Sequence, residues 1–155
     1  MAMPRAAALI LQGDSIALIE RYRDDRLYYV FPGGQVKQGE ALHDAAVREI
    51  KEELGLVIEI HRLVAELSRD SGMQYFFLAG IIGGEFGTGH GREMTGRARP
   101  ESGTYTPVWM PVAELLQKRI RPRRVARLVV KAIKEGWPEE MLKLDDSSSA
   151  RPGVG

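Results

Sequence analysis

The chain has 155 residues, which suits one domain with a single core. Apolar residues make up 44% and charged residues 28%, an ordinary balance for a globular protein, and a formal charge of +1 excludes strong global attraction to nucleic acid or anionic membrane. The absence of cysteine excludes disulfides, thiolate catalysis and zinc–thiolate centres.

Residues 1–5 show no charged-then-apolar leader pattern, and the run 6–11 is too short to span a bilayer, so a cytoplasmic protein with no membrane partner is expected. The apolar runs 6–11 and 15–22 flank Gln12-Gly13-Asp14 and predict a β-hairpin. Residues 27–31 read as a third strand, stopped by Pro32-Gly33-Gly34. Proline removes a donor there and glycine permits unusual backbone angles, as a tight functional loop requires.

From Ala41 the pattern turns helical: Leu42, Ala46, Ile50 and Leu54 recur every four residues and predict a buried stripe, with Gly55 placed to end the helix. Residues 57–67 and 74–82 return to strand character, the second run carrying Tyr75, Phe76 and Phe77. The stretch 83–104 has no periodicity and holds seven glycines, so it reads as a functional or disordered loop. A further strand over 105–110 with Trp109 packing, a short helix over 112–117 led by Pro111 and a longer helix over 122–135 complete the order. The last residues are rich in Ser, Pro and Gly, so the expected division is a domain over 1–144 and a flexible tail over 145–155. No repeat is present. Strands on both sides of a central helix, with more helix at the end, predict a mixed α/β sandwich.

The candidate chemistry lies between Gly34 and Leu56. On a helix, Glu49, Glu52 and Glu53 are three and four positions apart, so their carboxylates share one face. Three anionic oxygen donors at that spacing suit a hard cation such as Mg²⁺ or Mn²⁺, and the Gly33-Gly34 loop could bring backbone oxygen or amide groups beside them. Charge runs are more often solvated helix faces. Here, however, Glu49 and Glu53 are like charges four apart, destabilising by roughly 0.2–0.5 kcal/mol, and Arg48 and Lys51 compensate only in part. Spacing alone leaves both readings open.

A resemblance separates them. Gly34, Glu40, Arg48, Glu49, Ile50, Glu52, Glu53, Gly55 and Leu56 fill every specified position of a box that resembles that of the Nudix hydrolases, over 23 residues without a gap. The preceding Phe31-Pro32-Gly33 also looks like that family's loop. The resemblance implies a Nudix-type α/β/α sandwich with a mixed central sheet. It further implies metal held by Glu49, Glu52 and Glu53 with Gly33 nearby. Arg48 would hold the catalytic helix through Glu49 or Glu40, Glu40 would support the site or assist metal binding, and Gly34 would shape the loop. The implied activity is a pyrophosphohydrolase, in which water attacks phosphorus in a nucleoside triphosphate or a nucleoside diphosphate derivative, with Mg²⁺ or Mn²⁺ as cofactor. Glu49, Glu52, Glu53 and Arg48 form the expected catalytic set.

The general base is sought in Glu52 first, with Glu85, Glu93 and Glu101 of the glycine-rich stretch behind it. His43 and His61 lack metal-ligand spacing, and His90 alone among the histidines is kept as a substrate-loop candidate. Tyr22, Tyr28 and Phe31 could stack a base, although aromatic residues in short strands are more often core. Arg119, Arg121, Arg123, Arg124 and Arg127 alternate with apolar residues, as in an ordinary amphipathic helix. A basic segment of this kind also leaves a 5′-RNA-end pyrophosphohydrolase as the alternative. A nucleotide-sensing module with the same fold is a third reading, disfavoured because the box glutamates are complete. ADP-ribose-cleaving relatives tend to carry a proline beyond the box, and none occurs between Leu56 and Arg99, which weighs against ADP-ribose. No P-loop, Gly-x-Ser-x-Gly elbow or His-Glu-x-x-His is present.

Overall fold

In the first two strands, side chains on both faces are apolar, and both faces are covered. The computed structural model describes residues 3–89 and 103–148. Strands β1 (Arg5–Gln12) and β2 (Ser15–Arg23) form the expected hairpin, and β3 (Arg26–Val30) follows. Ala8, Ile10, Ala17 and Ile19 form one core cluster with Ile50 and Leu54 of the helix α1 (Leu42–Leu54). Their neighbours Leu9, Ile16 and Leu18 belong to another cluster, with Val125, Leu128 and Val129 of the helix α2 (Arg123–Glu135). The period of two along each strand therefore sends alternate residues to two helices on opposite sides, which makes the sandwich.

The other strands are β4 (Gly33–Gln35), β5 (Leu56–Arg69), β6 (Gly72–Gly84), β7 (Thr106–Pro111), β8 (Ile120–Arg121) and β9 (Leu142–Asp145), with a 3-10 helix over Val112–Gln117. All described strands join one mixed sheet in the order β8-β3-β2-β1-β6-β5-β9, with β4 paired to β1 and β7 to β2. The β1/β6, β3/β8 and β5/β9 pairs are parallel. Among the described residues no helix is long and apolar enough to cross a membrane.

The strands that sequence reading overlooks, β4, β8 and β9, are two to four residues long. No periodicity can be read over so few residues; each exists because a longer strand offers it an open edge. The expected loop from residue 83 also begins later, since Gly83 and Gly84 complete β6. After that strand the chain folds over the end of α1: Gly87 N–H donates to the Leu54 carbonyl at 2.9 Å, and Glu85 N–H to that of Gly55 at 3.2 Å. These donors satisfy carbonyls that a helix end leaves without intrahelical partners. Near the C-terminus, Ser148 bonds through its N–H and hydroxyl to Asp70.

Gly55 takes the left-handed conformation at φ 77°, and its N–H donates to Lys51 O. A Cβ at that position would overlap Thr88 Oγ1 and approach Glu85 O. Gly55→Ala is therefore expected to lower stability by about 1–2 kcal/mol from backbone strain alone, with overlap adding to that. Thermal melting measures the loss, and an unchanged melting temperature would contradict the packing of this loop on α1.

Candidate active site

The site begins with a divergence in the sheet. β1 and β2 pair only at Leu11/Ile16 and Gln12/Ser15. Beyond those residues β1 turns to β6 and β4, whereas β2 turns to β3, with β7 along its other edge from Ser15 onward. A cavity of about 530 Å³ takes side chains from both halves. Phe31, Gly33, Gly34, Gln35, Glu49 and Glu53 line its floor.

Backbone bonds from Ala8 N–H to Pro32 O at 3.0 Å and from Val36 N–H to Pro4 O at 2.8 Å pin the glycine loop along β1. Helix α1 packs behind it through Ala45, Ala46, Ile50 and Leu54, which leaves Glu49 and Glu53 directed at the loop. Gly33 N–H donates to Glu53 Oε1 at 3.1 Å. A Cβ on Gly34 would overlap the Glu49 carboxylate, so the loop and helix approach as closely as they do only because that residue has no side chain.

Arg48 links these pieces. Its Nε and Nη2 donate to the two oxygens of Glu40 at 2.8 and 2.9 Å. Nη1 donates to Glu49 Oε1 at 2.8 Å and to Glu52 Oε2 at 3.3 Å, and Nη2 also reaches Gln35 O at 3.0 Å. The Arg48 bond lowers the Glu40 carboxyl from 4.5 to about 2, assisted by the Lys37 N–H. The Arg48 guanidinium is in turn pushed above its ordinary value, chiefly by Glu40 and then by Glu49. Both expected pairings of Arg48, with Glu49 and with Glu40, are present, and Glu52 joins them.

Glu49 and Glu53 line the cavity with Gly33 and Gly34, while Glu52 is not a lining residue and has 49% of its side chain exposed. Among the described residues, no group of three or more Asp, Glu or His side chains converges tightly enough to hold a metal. The donor set still fits a hard cation: every candidate ligand is an oxygen, and the single guanidinium of Arg48 is shared by three carboxylates, those of Glu40, Glu49 and Glu52. Glu85 is not a lining residue; its carbonyl accepts bonds from Thr88. His43 is exposed beside Asp44, and His61 lies against Gly80. His90, Glu93 and Glu101 fall outside the described residues.

Sequence reading missed most of the walls. One carries Arg5, Arg69 and Gln74, the other Arg21, Tyr28, Tyr105 and Arg121. A signal existed for Arg21: it continues the face of Ala17 and Ile19, where the period of two calls for an apolar residue, and it is only 9% exposed. Tyr28 and Phe31 line the cavity, whereas Tyr22 is exposed. The basic segment is divided in its tasks. Arg123 donates to the Lys118 and Leu116 carbonyls and Arg124 pairs with Asp146, while Arg121 reaches the cavity.

A mixed sheet between helices, split over a carboxylate floor, places the molecule among α/β sandwich proteins with a loop-and-helix site. The chain belongs to the NUDIX domain family, whose model matches residues 1–129. It is 30% identical over 136 residues to a Caenorhabditis elegans protein named as a nudix hydrolase, covering 83% of this chain and 34% of that protein. It is 34% identical over 88 residues to the ADP-ribose pyrophosphatase of Methanocaldococcus jannaschii, covering 52% of each. The chain thus spans about a third to a half of the curated relatives it matches. The crystal structure of a NUDIX hydrolase from Nitrosomonas europaea shares the fold with a TM-score of 0.72 at 18% identity, covering 94% of this chain and 79% of that one. That of an ADP-ribose pyrophosphatase from Streptococcus suis matches with a TM-score of 0.64 at 24% identity, covering 94% of this chain and all of the other.

Two outcomes follow from the Arg48 network. Arg48→Lys should lower the melting temperature, because an ammonium cannot reproduce the bidentate bond to Glu40; an unchanged melt would remove its structural role. The Glu40 carboxyl is depressed on folding, so its contribution to stability is complete above 4.5 and is lost as pH falls towards about 2. The melting-temperature gap between wild type and Glu40→Gln should therefore hold at neutral pH and close across that window. A gap independent of pH would show that charge is not its source.

Proposed function

We propose that the chain is a metal-dependent pyrophosphohydrolase that directs water onto phosphorus in a nucleoside diphosphate joined to a second group. One observation carries the reading: Glu49 and Glu53, anchored by Arg48 and by Gly33 N–H, face a cavity of about 530 Å³, a size suited to a nucleotide. Glu49, Glu52, Glu53 and the Gly33 backbone would hold the cation, Mg²⁺ or Mn²⁺. When bound, such a cation polarises phosphoryl oxygens and makes water a stronger acid.

The chain's own residues supply the rest. Arg48 and Gly33 fix two carboxylates before substrate arrives, so little reorganisation is needed as charge develops. Glu52 is the proposed base. It is the most exposed of the helix glutamates that Arg48 contacts, and its bond to Arg48 is the longest of the set, at 3.3 Å. Of the helix glutamates on Arg48 it is therefore the less restrained one, and the better placed to accept a proton from attacking water. Substrates of the ADP-ribose type, which the missing proline weighs against, regain support from the likeness to the Methanocaldococcus jannaschii enzyme. The RNA-end alternative loses support because Arg123 and Arg124 are engaged in holding α2 to its neighbours.

The test is a substrate panel of ADP-ribose, nucleoside triphosphates and 5′-triphosphorylated RNA, assayed with Mg²⁺ and with Mn²⁺. Turnover should vanish in EDTA, and full activity without metal would defeat the mechanism. Binding without turnover of any compound would favour the sensing module. Glu53→Gln should keep the Gly33 N–H bond and the melting temperature, since the amide oxygen still accepts. It should nevertheless lower kcat by at least about tenfold, equivalent to ~1.4 kcal/mol in the barrier. The same loss is expected for Glu52→Gln, and wild-type rates in both variants would reduce the glutamate face to a solvated one.

A further inference from the structure

The two cavity walls differ in chemistry, and that difference bears on the second group of the substrate. On the β2–β3 side Arg21 lies opposite Tyr28 in register. The Arg21 guanidinium sits 3.6 Å from the ring centre of Tyr105 and 5.7 Å from that of Tyr28, and Arg121 lies 4.3 Å over Tyr28. This ladder of guanidinium and aromatic planes, with Ile19 and Val30 beside it, is a surface on which a flat base can stack.

The opposite wall has no such ladder. Arg5 and Gln74 are paired in register across β1 and β6, and Arg69 comes from the end of β5. All three line the cavity. Among the described residues, neither Arg5 nor Arg69 makes an ion pair or a side-chain hydrogen bond. The carboxylates nearest in the cavity, Glu49 and Glu53, are bound to Arg48 and Gly33. Two guanidiniums that share a cavity without a carboxylate partner repel one another. Their planar forks match the oxygens of a phosphate, and together they balance the charge of about −1.5 to −2 on a phosphate monoester.

We propose that Arg5 and Arg69 recognise a phosphate on the group distal to the nucleoside. The favoured substrate is then a nucleoside diphosphate joined to a phosphorylated group, not to a neutral sugar. The base lies on the Tyr28–Tyr105 wall and the scissile diphosphate lies over the glutamate floor. The proposal rests on the hydrolase reading for the bond that is cut, but its binding component does not.

Three probes separate the possibilities: ADP-ribose, ADP-ribose 1″-phosphate with the added phosphate on the distal sugar, and ADP-ribose 2′-phosphate with it on the nucleoside. Each is measured for kcat/KM with Mg²⁺ and, separately, for affinity by calorimetry in EDTA. The distal phosphate should raise both by about tenfold or more, the range of a charge-assisted contact, and the nucleoside-side phosphate should not. Arg5→Gln and Arg69→Gln should each reduce that preference several-fold, with melting curves confirming that both variants fold. Equal treatment of the three probes would overturn the proposal, as would a preference that survives in both variants. If no probe is hydrolysed while the affinity preference holds and is lost in the variants, the hydrolase reading falls and this one stands.

Discussion

The guanidinium of Arg48 uses all five of its N–H donors' worth of bonding, on Glu40, Glu49, Glu52 and the Gln35 carbonyl, and so ties three segments together. Glu40 lies in the loop before α1, Gln35 ends β4, and Glu49 and Glu52 belong to the helix. Without that cation the like charges along the helix would repel one another, and the loop would lose its registration on α1. The side chain is 22% exposed, so solvent screens part of the attraction, and isolated pairs of that exposure contribute little. Geometry gives this network its effect: a rigid fork meets acceptors at several fixed directions, which a flexible pair of charges cannot do.

That arrangement depends in turn on how the two sheet faces are filled. Side chains of β1 and β2 alternate between a core under α1 and a core under α2, so the strands are clamped from both sides. Clamped strands can separate at one end without losing their packing. β1 leaves β2 after a short hairpin pairing, and the Pro32-Gly33-Gly34 loop lies along β1 where they part. Helix α1 then needs only to bury Ala46, Ile50 and Leu54 for Glu49 and Glu53 to reach the cavity. The edge-to-face contact of Phe31 with Phe76, at 6.0 Å between ring centres, joins the floor to the β6 side.

Charge is separated within the cavity although the whole chain carries only +1. The floor holds carboxylates, and the walls hold Arg5, Arg69, Arg21 and Arg121. A formal balance near zero thus hides a local field of alternating sign, which a charged, extended ligand can follow and a neutral one cannot. This organisation connects the proposed chemistry on the floor with the proposed recognition on the walls.

The amino-acid sequence by itself determined the family, the long elements and the glutamate face. The repeat of Leu42, Ala46, Ile50 and Leu54 defines a helix, and Gly55 its end, because local periodicity and backbone freedom act over a few neighbouring residues. The spacing of Glu49, Glu52 and Glu53 follows from the same geometry. Tertiary structure decided what local rules do not reach. The short strands β4, β8 and β9 form only against partners far along the chain. It turned Glu49 and Glu53 into the cavity and left Glu52 half exposed outside its lining, because the burial of α1 selects the helix rotation. It also brought Arg5, Arg21, Arg69 and Arg121 to one cavity from four different strands. No spacing in the sequence encodes that meeting, since it depends on the place where two strands of a curved sheet stop pairing.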